Sequence, residues 1–333
     1  MKVDFKKNSL NYIRLLAALQ VMYGHLTEYL DVEIPGVRPV ISVFYGVPIF
    51  FTLSGFLIWN SISNSRDYKQ YLLKRFWRIF PELWVGVAIE IIAIVLLYRP
   101  LSVKDLAAFT VTQATYLQFW TPDSLRGYGV GTPNGALWTI CVLIQFYIIA
   151  WFVRRLLAGG RCKRWLITLI ISIVASIGID SYLKTFGVEI LVKLFEQTVV
   201  RYFWMFLLGM MLANYFDIVI AAAMKSWWLA LGISIILRYT YDLDAGYPVF
   251  SSFFLLFAVV GFAYRFTFIK LKRDISYGLY IYHMTVVNVM VTFGLTGKLI
   301  YLIIAFVLSF IMAYLSNITI GKLSESRKKA NIL

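Results

Sequence analysis

Three ionisable side chains in the first apolar stretch are the sequence's strongest candidates for chemistry. Arg14, His25 and Glu28 all follow the start of that stretch at Leu10. A helix turns about 100° per residue, so Arg14 and His25 share one stripe, about 16 Å apart along the axis. Glu28, three residues after His25, faces roughly the same way. A histidine beside a carboxylate is a general-base arrangement. The alternative is that His25 and Glu28 only bond to each other or to neighbouring helices.

A second candidate is a basic cluster before the third apolar stretch. Arg75 and Arg78 are three residues apart, so they share a helical face, with Lys74 beside them. Paired arginines suit bidentate contacts with phosphate, so they could bind a polyphosphate ligand that enters from the cytoplasm. The alternative is contact with anionic lipid combined with a role in membrane topology.

His283 is the only histidine besides His25. It comes early in a late apolar stretch, which predicts a depth in the membrane different from that of His25. His283 is therefore expected either to line the same cavity or to bond to a backbone carbonyl. Two histidines at different depths do not predict a histidine-rich metal site.

The composition indicates which elements must position these residues. Of the 333 residues, 60% are hydrophobic and 15% are charged, and the formal net charge is +15. Such hydrophobicity excludes a disordered chain and exceeds that of a typical soluble domain. Two cysteines exclude a disulfide scaffold, a Cys-rich zinc site and an iron–sulfur site. An all-α integral membrane protein with basic loops is the class that remains.

About ten stretches are long and apolar enough to span a bilayer. They start near Leu10, Val40, Glu82, Asn134, Arg164, Val199, Ser226, Tyr247, Ile275 and Lys298. Most of the 32 Lys and Arg residues fall in alternate loops, which predicts a bundle of ten transmembrane helices with both termini cytoplasmic. Arg14 and Arg201 lie inside predicted spans. Because topology accounts for the basic charge, no nucleic-acid partner is expected.

The longest predicted segment between spans holds two smaller features. Residues Val103 to Tyr116 are expected to form an interfacial helix. The glycine-rich stretch from Gly127 to Pro133 lacks the Lys and Ser/Thr of a phosphate loop. It is interpreted as a flexible loop, with a lip for a sugar acceptor as the alternative.

An ordered set of motifs resembles the membrane acyltransferase-3 family. The set comprises Arg14 and His25 with ten residues between them, Gly46–Ile58, Lys74–Pro81, Ala136–Thr139 with Gln145–Tyr147, and Ile275–His283. One position departs from the family pattern, since Leu143 stands where the family usually has a glutamate. Glu28 or Glu90, both in predicted spans, could compensate for that loss.

The resemblance implies one acyltransferase domain over residues 1–333, with no appended soluble domain. It implies transfer of an acetyl group from cytoplasmic acetyl-CoA to a hydroxyl of a surface polysaccharide, as in stand-alone O-antigen O-acetyltransferases of the bacterial inner membrane. The expected partners are membrane lipid and a lipid-linked or polymerised polysaccharide, and no metal is expected. The alternatives are a transporter or flippase for a lipid-linked sugar and a different class of membrane acyltransferase.

The resemblance also assigns roles to residues. His25 and Glu28 are the expected catalytic pair. Direct transfer and an acetyl-histidine intermediate both remain open. The expected acyl-CoA-binding residues are Arg14, Arg75 and Arg78. The residues expected to line the cavity are Ser54, Trp138, Tyr277 and His283.

Overall fold

The computed structural model describes residues 3–99, 101–187, 189–240 and 249–322, and within these ranges the chain is helical without strands. The helices are α1 (Leu10–Tyr29), α2 (Val37–Ile41), α3 (Gly46–Ser63), α4 (Tyr68–Leu97), α5 (Val103–Ala114), α6 (Trp138–Leu157), α7 (Cys162–Phe186), α8 (Glu189–Phe195), α9 (Val199–Asn214), α10 (Phe216–Thr240), α11 (Val249–Arg265), α12 (Ser276–Thr292) and α13 (Leu299–Ser316).

Each predicted apolar stretch contains one of these helices, although the predicted start at Tyr247 lies outside the described residues. The largest boundary error is at α4, which begins at Tyr68 rather than at Glu82. Its first turns are rich in Lys, Arg, Gln and Leu, which are good helix formers. Arg75 and Arg78 therefore lie on the helix itself and not in a loop. The predicted helix from Val103 is confirmed as α5.

Six helical segments of the described chain are long and apolar enough to cross a membrane, as expected for a multi-pass membrane protein. They are Val37–Ser63, Tyr68–Leu97, Gly135–Leu157, Cys162–Phe186, Phe216–Thr240 and Leu299–Gly321. The helices α9, α11 and α12 are shorter, and α1 carries Arg14, His25 and Glu28. Ten spans and the orientation of the termini therefore stay predictions.

The chain forms two compact units that interleave along the sequence. The first comprises Met1–Ala17, Val40–Tyr68 and Val142–Lys272. The second comprises Ala18–Pro39, Lys69–Cys141 and Arg273–Leu333. The prediction of a single domain over residues 1–333 stays a prediction.

In the first unit, glycines allow helices to pack at backbone distance. A Cβ atom on Gly55 of α3 would overlap the carbonyl of Phe206 on α9, and one on Gly209 would overlap the carbonyl of Thr52. The Thr52 hydroxyl also donates to the Met205 carbonyl at 2.9 Å. Small residues with a hydroxyl bond between helices are typical of packing inside a membrane.

The first unit also contains a buried ion pair. Arg201 of α9 pairs with Asp180 of α7, and both side chains are almost fully buried. Lys184 contacts the other carboxylate oxygen of Asp180 at 3.1 Å. The predicted intramembrane arginine is thus neutralised by a carboxylate that the sequence patterns did not single out.

In the second unit, α12 is the helix against which the other elements pack. Most of its residues are buried. A Cβ atom on Gly86 of α4 would overlap the Ile281 side chain, and Gly278 lies against Ala313 of α13. These close contacts hold α4 and α13 on α12, and α12 carries His283.

Candidate active site

The two histidines of the chain form one hydrogen-bonded pair in the second unit. Nδ1 of His25 lies 2.8 Å from Nε2 of His283, and the two rings are nearly parallel, with centroids 5.1 Å apart. His283 is fully buried, whereas His25 is partly exposed. The second nitrogen of His283, Nδ1, lies 2.9 Å from the Leu279 carbonyl oxygen one turn earlier in α12. The pair thus joins α1 to α12.

The prediction that the two histidines lie at different depths is wrong. A position early in α12 and a position late in α1 are brought to the same level by packing, which a linear depth estimate does not capture. Of the two expectations for His283, the bond to a backbone carbonyl is confirmed. That His283 lines a cavity stays a prediction.

Glu28 does not take the position expected of it as the partner of His25. Its side chain is exposed, and the hydrogen bond of the His25 ring goes to His283 instead. The i, i+3 spacing brings two side chains to one side of a helix. It does not decide which of them faces the neighbouring helix, and here His25 does so.

The arginine cluster lies near the start of α12. Arg78 is exposed and forms an ion pair with Asp274 at 3.3 Å. Asp274 also accepts a 3.2 Å bond from the backbone N–H of Ser276, at the first residue of α12. Arg75 is partly buried on the same helix. Both arginines therefore lie in the unit that holds the histidine pair.

The other predicted site residues are distributed over both units. Arg14 is half-buried in the part of α1 that belongs to the first unit, and Ser54 is half-buried on α3 of that unit. Trp138 is the half-buried first residue of α6, in the second unit. The Tyr277 hydroxyl donates to the Ile79 carbonyl at 3.0 Å, so it joins α12 to α4.

Sequence reasoning gave Glu90 only a compensating role and did not connect it with α12. Glu90 is buried on α4 and accepts a hydrogen bond from the Thr285 hydroxyl. Thr285 follows His283 by two residues. A carboxyl inside a predicted span is a signal for function, but its partner is 195 residues away and is invisible in the sequence.

The glycine-rich segment from Gly127 to Pro133 is held against α12, contrary to its interpretation as a flexible loop. Asn288 accepts a 2.9 Å bond from the Val130 N–H and donates to the Pro133 carbonyl at 2.6 Å. Gly129 has a left-handed backbone (φ 55°) and lies directly against the Asn288 side chain. The segment is therefore clamped to α12, five residues after His283.

Polar contacts continue along the same side of the segment. The Asn134 amide donates to the Ile281 carbonyl at 2.9 Å, and the hydroxyls of Thr139 and Tyr280 are 2.7 Å apart. The segment thus contacts α12 after His283, and the residues that follow the segment contact α12 before His283. Burial, and to a lesser degree the nearby Glu90 carboxylate, raises the pKa of the Tyr128 phenol, so Tyr128 stays protonated at neutral pH.

Among the described residues no group of three or more His, Cys, Asp or Glu side chains could hold a metal ion. The side chains of this site supply an imidazole pair, of which the His25 side chain is partly exposed, and a basic cluster on the same unit. The imidazole pair can act as a general base for a hydroxyl, and the basic cluster can bind an anionic group.

Comparison with known proteins agrees with this chemistry. The sequence matches the family model described as an acyltransferase domain over residues 7–318. It is 30% identical over 319 residues to Nodulation protein 10 of Rhizobium leguminosarum bv. viciae, which covers 87% of this chain and 86% of that protein. It is also 30% identical over 117 residues to the peptidoglycan O-acetyltransferase OatA of Listeria monocytogenes serovar 1/2a, but this covers only 32% of this chain and 19% of that protein. No solved structure matches.

The family match extends across both units and includes every residue proposed for the site. It decides between the acyltransferase and the transporter or flippase, the two functions that ionisable groups inside a helical bundle had left open. The chain is a membrane O-acyltransferase and belongs to the acyltransferase-3 family.

Proposed function

We propose that the chain transfers an acetyl group from cytoplasmic acetyl-CoA to a hydroxyl of a surface polysaccharide sugar, with an O-antigen-like polymer as the acceptor. The observation that carries the proposal is the partly exposed His25 ring, one nitrogen of which is hydrogen bonded to the buried His283. The similarity to a protein named as a peptidoglycan O-acetyltransferase supports acetyl as the group and a cell-surface glycan as the acceptor.

In the proposed reaction, the imidazole of His25 removes the proton from the sugar hydroxyl. The oxygen attacks the thioester carbonyl of acetyl-CoA, a C–O bond forms, and the C–S bond breaks. The CoA thiolate leaves and takes the proton from the imidazolium of His25. The products are the O-acetyl sugar and free CoA, and the enzyme returns to its starting state.

Direct transfer is the proposed route, and an acetyl-histidine intermediate is its rival. Labelled acetyl-CoA supplied to the enzyme without an acceptor separates the two routes. Direct transfer leaves the protein unlabelled. Label that is bound to the wild type and lost in His25→Ala would establish the intermediate.

The phosphates of acetyl-CoA are proposed to bind Arg75 and Arg78. Arg14, which lies in the first unit, stays an expected acyl-CoA-binding residue. Arg78 is exposed, so a phosphate can replace Asp274 as its partner without a large desolvation cost. Trp138, Tyr277 and Ser54 are proposed to line the path of the acyl donor or of the sugar. Glu28 is proposed to assist at the acceptor side, because its carboxylate is exposed one turn beyond His25.

The proposed setting is the bacterial inner membrane, with ten spans and both termini in the cytoplasm. This orientation places the basic cluster around Arg75 on the side where acetyl-CoA is available. Alkaline phosphatase and GFP fusions at the loop positions test the orientation. Phosphatase activity from a fusion after Arg78 would contradict it.

The decisive experiment expresses the chain in cells that make a defined O-antigen, followed by NMR and mass spectrometry of the purified polysaccharide. We expect new O-acetyl signals with the wild type and none with His25→Ala at an equal amount of protein in the membrane. Thr27→Ala is the matched control, because Thr27 lies on the same helix and bonds to carbonyls of α1. Normal acetylation by His25→Ala would refute the assignment of the base.

A further inference from the structure

The hydrogen bonds of the histidine pair determine where its protons are. A backbone carbonyl oxygen only accepts, so Nδ1 of His283 must carry the hydrogen of its 2.9 Å bond to Leu279. In a neutral imidazole the other nitrogen is then an acceptor. Nε2 of His283 therefore accepts from Nδ1 of His25 across the 2.8 Å contact.

The neutral form of His283 follows from its surroundings. Its ring is fully buried, and its partners in the described chain are the backbones of Leu279 and Tyr280 and the imidazole of His25, none of which is an anion. A buried imidazolium without an anionic partner is costly. His25 thus donates to His283, and His283 donates to the Leu279 carbonyl.

The consequence falls on the outer nitrogen of His25. With its hydrogen on Nδ1, the neutral ring of His25 has a free lone pair on Nε2, which points away from His283. The side chain is partly exposed, and its 2.8 Å bond to His283 engages Nδ1 and not Nε2. Only this tautomer can take a proton at that position.

We infer that His283 is a positioning residue that holds His25 in the Nδ1–H tautomer and so keeps Nε2 ready as the base. This inference rests on the proposed function, since it gives His25 the role of base. His283 takes the orienting role for which the sequence had suggested Glu28. An imidazole with a single acceptor on Nδ1 is the arrangement that a carboxylate supplies in hydrolase triads.

The tautomer itself is measurable without turnover. Because the chain has only two histidines, protein labelled with ¹⁵N-histidine in lipid nanodiscs gives signals from two rings alone. We expect a hydrogen on Nδ1 of both rings, a bare Nε2 on His25, and a ¹⁵N–¹⁵N coupling across the hydrogen bond. A hydrogen on Nε2 of His25 in the neutral wild type would overturn the inference.

Kinetics supply the second arm of the test. General base catalysis contributes about 10²- to 10⁴-fold, so His283→Leu should lower kcat at least about tenfold while the KM for acetyl-CoA stays within about twofold. His283→Gln should recover part of kcat, since its amide oxygen can accept from His25. Met284→Leu, a volume-conserving change at the next buried position, is the matched control.

The outcomes separate this inference from the proposed function. Wild-type kcat in a folded His283→Leu variant would overturn the positioning role while His25 remains the base. Loss of kcat in His283→Leu with no recovery in His283→Gln, together with an unchanged His25 tautomer in the spectra, would also overturn it. If the wild type acetylates no polysaccharide, the proposed function fails, but the NMR result still decides the direction of the hydrogen bonds.

Discussion

Because the glycine-rich segment is clamped to α12, adding one methyl group at Gly129 should strongly reduce the free energy of unfolding. Gly129 has φ 55°, a conformation that costs an L-residue with a side chain about 1–2 kcal/mol. A Cβ atom there would also lie 2.7 Å from both Cβ and Cγ of Asn288. Overpacking of this kind costs about 1–3 kcal/mol. Gly129→Ala should therefore reduce the free energy of unfolding by about 2–5 kcal/mol.

Gly294→Ala is the matched control for the backbone contribution. Gly294 has nearly the same conformation (φ 65°), but an added Cβ atom would meet nothing within 4 Å. This variant should lose only the about 1–2 kcal/mol of the left-handed conformation. The difference between the two variants, about 1–3 kcal/mol, then measures the contact with Asn288.

Denaturant unfolding of the purified protein in detergent gives these free energies, and amide exchange at Val130 reports the clamp locally. The Val130 N–H donates to Asn288, so Gly129→Ala should accelerate its exchange while Gly294→Ala should not. In the double variant Gly129→Ala with Asn288→Ala, the overlap with Cγ of residue 288 is removed and the overlap with its Cβ remains, so the destabilisation should be smaller than the sum of the two single effects. Equal destabilisation by Gly129→Ala and Gly294→Ala, or strict additivity in the cycle, would refute the reasoning.

Two further predictions concern charged contacts. Asp180→Ala leaves Arg201 buried without its main partner and should cost about 3–5 kcal/mol of unfolding free energy. Lys184→Ala removes an exposed cation and leaves Asp180 paired with Arg201, so it should cost about 0–1 kcal/mol. Similar losses from the two changes would show that the arginine is already solvated. Arg78→Ala should raise the KM for acetyl-CoA, and Asp274→Asn, which breaks the same ion pair but keeps an acceptor for α12, should not. If the two variants share one kinetic profile, Arg78 acts only through Asp274.

The helices could be predicted because the thickness of the bilayer sets the length of an apolar run. Inside the bilayer the backbone N–H and C=O groups must also bond to each other, which a helix allows. All ten predicted stretches contain a helix, and the helix from Val103 was also expected. The start of α4 was not, because its polar first turns are helical without being apolar. Apolar runs locate the segment that enters the membrane, not the residue at which a helix begins.

His25 could be selected from the sequence because an ionisable group is costly in an apolar helix and so needs a reason to be there. The hydrogen-bond partner of His25 could not be predicted from the sequence. Glu28 is its neighbour on the helix, but His283, 258 residues later, is its neighbour in space. The contact between Gly129 and Asn288 could not be predicted either, because the two residues are distant in the sequence. It holds a segment whose composition predicts flexibility against α12.

The sequence by itself thus determined the class of the molecule, its family motifs and the histidine that we propose as the base. Those features follow from local composition and spacing, which act along one helix. The tertiary structure decided the partners, namely His283 for His25, Asp274 for Arg78 and Asp180 for Arg201. The physical reason is that a hydrogen bond or an ion pair depends on distances of about 3 Å between side chains, and only the packing of separate helices sets those distances.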